Sequence, residues 1–89
     1  MTVGMTTNSA MTDQERLVNF EVQAEAAYAK MYDATTATEA AAHYSDAKEA
    51  FHDAIGLARR LDKANAAERL DARLVHIKAV FRSQFAGVG

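Results

Sequence analysis

The sequence predicts an all-α fold, an up-down-up bundle of three helices. No proline interrupts the 89 residues. Three segments also repeat one helix-start pattern, in which Ser, Thr or Asn is followed three residues later by Glu, and each match precedes an amphipathic run. The three matches are Thr12 with Glu15, Thr36 with Glu39, and Asn65 with Glu68.

Composition sets limits on stability and chemistry. Leu, Ile, Val and Phe supply only 17 of the 89 residues, and the formal net charge is −2. A low net charge combined with periodic apolar residues favours a folded chain of modest stability. The absence of cysteine excludes disulfides, thiolate metal sites and cysteine nucleophiles.

The first helix is predicted over residues 13–33. Its apolar residues form two stripes on different sides of the helix. The main stripe is Leu17, Phe20, Ala24, Tyr28 and Met31, and the second is Val18, Val22 and Ala29. Two stripes predict that this helix contacts two neighbours.

The second helix is predicted over residues 37–61. Large and small side chains alternate along one side of it, which lets another helix approach closely at the alanines. This packing signature is Tyr44, Ala47, Phe51, Ala54 and Leu57. Gly56 costs about 1 kcal/mol relative to alanine within a helix, so it indicates a close backbone contact.

The third helix is predicted over residues 66–86, with one apolar side. That side is Leu70, Leu74, Ile77, Phe81 and Phe85. Short connections between the helices force antiparallel neighbours, which completes the up-down-up bundle. Residues 12–86 therefore form one domain, and residues 1–11 and 87–89 are expected to be disordered. No segment has the length and composition of a membrane helix or a signal peptide, so we expect a cytoplasmic protein without membrane contact.

The packing signature resembles the second helix of a tetratricopeptide repeat, in which aromatic, alanine, aromatic, alanine and leucine recur at this spacing. The match covers residues 44–57 closely and the rest of the chain in outline. Arg59 stands where a repeat usually closes with proline. The chain is also similar in outline to microtubule-interacting-and-transport domains. These resemblances imply a domain that binds peptides and has no catalytic residues.

Chemical motifs are few. Glu49 and His52 have the spacing with which ferritin-like helical proteins bind metal, and Glu21 or Glu25 could complete such a site across a dimer. Helical phase turns Glu49 and His52 away from the apolar side, which favours solvated surface residues. No serine has a suitable His and Asp arrangement, and no glycine-rich loop could hold phosphate. We therefore expect no enzymatic activity, no cofactor and no metal.

Charge divides the chain into an acidic and a basic part. Residues 1–56 carry nine acidic and three basic residues, whereas residues 57–89 carry three acidic and seven basic residues. A basic third helix is one candidate nucleic-acid surface. However, Arg69 and Arg73 lie on one flank of the helix and Lys78 and Arg82 on the other, which suits contacts with acidic neighbours better than a phosphate backbone.

The preferred hypothesis is therefore a protein-interaction domain that binds a peptide or helix, with a homodimer as one form. The candidate partner-binding surface lies on the third helix, where a shallow apolar strip is bordered by two arginines. It consists of Ala72, Val75, Ala79, Arg69 and Arg73. A metal-binding ferritin-like dimer and a nucleic-acid-binding protein are the alternatives.

Overall fold

Residues 12–86 are described by a computed structural model, and they form three α-helices. Helix α1 is Asp13–Tyr32, α2 is Ala37–Arg60 and α3 is Ala64–Phe81, followed by a π-helical turn at Arg82–Ala86. No strand occurs within residues 12–86. The predicted all-α, three-helix fold is confirmed. The predictions for residues 1–11 and 87–89, and for the Phe85 side chain, lie outside what is described.

Helix α1 begins with the predicted capping box. The Thr12 hydroxyl accepts a hydrogen bond of 3.1 Å from the Glu15 backbone N–H, and the Glu15 carboxylate accepts one of 2.9 Å from the Thr12 N–H. Two backbone donors that the helix leaves unpaired are thereby satisfied.

The start of α2 is a variant of the same device. The Thr36 hydroxyl accepts from the Glu39 N–H at 3.1 Å, as predicted. The Glu39 carboxylate, however, accepts from the N–H of Thr35 at 3.2 Å instead of returning to Thr36. The preceding residue is thus tied to the helix start as well, which fixes the short turn between α1 and α2.

The predicted capping box at Asn65 and Glu68 is wrong. Helix α3 begins one residue before Asn65, at Ala64, and its N-cap Lys63 makes no side-chain capping bond. The connection is set instead by the end of α2, where the Lys63 N–H donates to the Ala58 carbonyl at 2.8 Å and the Asp62 N–H to the Arg59 carbonyl at 3.1 Å. This is a Schellman motif, and it needs a left-handed residue, here Asp62 with φ 62°.

Helix α2 is the centre of the bundle, since α1 and α3 both pack along it and touch each other much less. Phe51 is completely buried. The core cluster draws on all three helices and consists of Leu17, Ala24, Met31, Ala40, Phe51, Ala54, Ile55, Leu57, Ala58, Ala67, Leu70, Leu74 and Ile77. Helix α3 closes on α2 through stacked rings of Phe81 and Tyr44, whose centroids lie 4.2 Å apart.

The expected second contact of α1 does not form. Val18 and Val22 are 50% and 61% exposed, and Ala29 is exposed too. The reason is that α3 packs mainly on α2, so only the main stripe of α1 is covered. Gly56 likewise lacks its expected close contact, because a Cβ built there would meet nothing within 4 Å.

Candidate interaction surface

Two bidentate ion pairs bridge α1 and α3. The Arg69 guanidinium donates to the two Glu21 carboxylate oxygens at 2.7 and 3.2 Å, and Arg73 donates to those of Glu25 at 2.8 Å each. In both pairs the partners are 48 residues apart, and the pairs are one helical turn apart on each helix. Helices α1 and α3 therefore run in the same direction with a fixed register.

Within the Glu21–Arg69 pair, each partner stabilises the charged form of the other. The hydrogen bonds from Arg69 lower the pKa of Glu21, against a smaller opposing effect of desolvation, and the Glu21 carboxylate raises the pKa of Arg69. Arg73 also lies over the Tyr28 ring, with its guanidinium carbon 5.0 Å from the ring centroid. An arginine over an aromatic face gains a cation–π attraction. The sequence alone does not predict this contact, because periodicity places Tyr28 and Arg73 each on its own helix without pairing them.

The ion pairs divide the candidate partner-binding surface into two parts. Arg69 and Arg73 reach toward α1 and are paired there. Ala72, Val75 and Ala79 are exposed, and by helical phase they lie on the side of α3 away from its buried stripe. The two arginines therefore link α3 to α1. The apolar strip is the part of the candidate surface that remains accessible to a partner.

The exposed strip of α1 and the two alanines of the α3 strip lie on the same side of the bundle. On α1, the strip of Val18, Val22 and Ala29 lies beside the two glutamates that bind α3. It is farther than these glutamates from the side that packs on α2. A surface depression of about 340 Å³ has Tyr32 of α1 on one wall and His76, Ala79 and Val80 of α3 on the other. The outer face is defined here as Val18, Val22 and Ala29 of α1 with Ala72 and Ala79 of α3. Val75 lies on the other flank of α3, with Lys78 and Arg82 and away from α1.

The outer face and its edge hold most of the large apolar side chains that folding leaves uncovered. Within residues 12–84, the exposed large hydrophobic side chains are Val18, Val22, Tyr32 and Val75. Val18 and Val22 belong to the outer face, Tyr32 lies at its edge, and Val75 lies on the other flank of α3. A concentration of exposed apolar side chains on one face is typical of an interaction surface. The sequence signal for it is the second stripe of α1, which periodicity by itself assigns to a contact within the bundle.

The packing signature lies in the core. Ala47, Phe51, Ala54 and Leu57 are buried, and Tyr44 is half-buried against Phe81. The Lys48 ammonium lies 5.1 Å from the Tyr44 ring centroid. These residues hold α2 between its neighbours, so they position the outer helices without presenting a surface of their own.

Another side of the bundle carries a groove between α1 and α2 with charged side chains along it. It measures about 440 Å³ and is bordered by Lys30, His43, Asp46, Glu49 and Asp53. Glu49 and His52 are exposed. Glu21 and Glu25, the carboxylates considered as further ligands, are bound to arginines instead. Among the described residues, no group of three or more His, Asp or Glu side chains could hold a metal ion.

Comparison of the chain with protein-family models, with curated proteins and with solved structures gives no significant match. Within the described part of the chain, no helix combines the length and the apolar composition that crossing a membrane requires. We therefore infer the function from the geometry of the bundle.

Proposed function

We propose that this protein is a non-catalytic interaction domain that binds an amphipathic helix on its outer face. The observation that carries the proposal is the uncovered second stripe of α1, where Val18 and Val22 are at least half exposed. Burying a valine gains about 1.5–3 kcal/mol, so an uncovered row of them favours association with another apolar surface. A helix fits because the outer face follows two parallel helices in fixed register.

The lack of buried polar side chains supports the non-catalytic part of the proposal. No polar or charged side chain is buried among the residues whose side chains are described. Catalytic acids, bases and nucleophiles usually depend on burial or close like charges to shift their pKa. The lowered pKa of Glu21 and the raised pKa values of Arg69 and Arg73 arise from the hydrogen bonds of the bridging ion pairs.

A relation to tetratricopeptide-like domains is part of the proposal. It is supported by the four buried residues of the packing signature and by the antiparallel arrangement of α1 with α2 and of α2 with α3. In such an arrangement the first and third helices run in the same direction, and the outer face is formed by these two helices.

A display selection tests the proposed function. A library of helix-forming peptides is selected for binding to the wild-type protein, and each selected peptide is then measured against Val22→Glu and Ala42→Glu. Both positions are exposed, but Ala42 lies on α2, outside the outer face. We expect Val22→Glu to weaken binding at least about tenfold, because a charge would be buried against apolar atoms. Equal binding to both variants would overturn the proposal.

A further inference from the structure

We draw no further inference here: the strongest candidate, the surface depression between the start of α1 and the end of α2, carries none, because Arg16 on one wall is paired with Asp13 and Arg60 on the other shares the depression with Asp53, so nothing in the structure shows what would occupy it.

Discussion

Arg73 reaches from α3 to α1 and holds both carboxylate oxygens of Glu25 at 2.8 Å, while its guanidinium lies over the Tyr28 ring. One helical turn earlier, Arg69 holds Glu21 in the same way. Helices α1 and α3 share little packing with each other and both pack on α2, which sets the register between them, and these ion pairs join the two helices at that register. The register in turn places the two strips of the outer face side by side.

The Glu21–Arg69 pair makes stability depend on pH. Because the pair lowers the pKa of Glu21 in the folded state, its contribution is present above the unfolded glutamate pKa of about 4.3 and is lost as pH falls through the lowered folded value. We expect Glu21→Gln to reduce the free energy of unfolding at neutral pH by only about 0.5–1 kcal/mol, since the pair is largely solvent-exposed. Urea unfolding at several pH values measures it. The difference should vanish in acid, and a difference that persists there would contradict the assignment.

Phe51 is the largest completely buried side chain, so its removal should leave a cavity at the centre of the core. We expect Phe51→Ala to reduce the free energy of unfolding by about 3–5 kcal/mol, a large share of what a small domain holds. Thermal and urea unfolding measure the loss. Glu49→Gln is the control, because Glu49 is exposed and its substitution should hardly change the free energy of unfolding. A Phe51→Ala protein that melted within a few degrees of wild type would contradict the proposed core.

Gly56 lies exposed within α2, and a Cβ there meets nothing within 4 Å beyond its chain neighbours and the adjacent backbone of its own helix. Glycine is less favourable than alanine in a helix because its unfolded backbone has more freedom. We therefore expect Gly56→Ala to raise the free energy of unfolding by about 1 kcal/mol. Ala42→Gly, at an exposed position of the same helix, should lower it by a similar amount. If Gly56→Ala instead destabilised the protein, an unseen close contact at Gly56 would have to exist.

Asp62 adopts a left-handed backbone conformation at the end of α2, with φ 62°. Any residue with a Cβ is strained there, and glycine is not. We expect Asp62→Gly to raise the free energy of unfolding by about 0.5–1 kcal/mol. Asp62→Val should lower it, because a β-branched side chain tolerates this conformation least. Urea unfolding of both variants gives the comparison, and a gain in the valine variant would contradict the turn geometry.

The charge arrangement predicts no measurable DNA or RNA binding at physiological salt. Arg69 and Arg73 already hold carboxylates, and phosphate would have to displace them. Fluorescence polarisation with labelled duplex DNA and single-stranded RNA measures this over a range of salt concentrations. Micromolar binding that disappeared in Arg69→Ala/Arg73→Ala but not in Lys78→Ala/Arg82→Ala would contradict the prediction. It would then favour a nucleic-acid-binding function.

The sequence by itself determined the helices and most of the core. Local rules sufficed for the Thr12 cap, for the start of α2 at Ala37, and for the buried stripe that includes Ala47, Phe51 and Ala54, because capping and helical periodicity act within a few residues. The same rules failed at Asn65. There α3 begins at Ala64, directly after the Schellman turn that ends α2 at Asp62, so Asn65 lies inside the helix and not at its N-cap.

Only the tertiary structure decided which apolar stripes are covered. Val18 and Val22 have the same periodicity as buried residues, yet they are exposed because α3 packs on α2 and leaves that side of α1 free. The pairing of Glu21 with Arg69 and of Glu25 with Arg73 also joins residues 48 positions apart. Helical phase predicts the flank on which such residues lie. The partner that each one meets depends on how the helices pack, which no local pattern specifies.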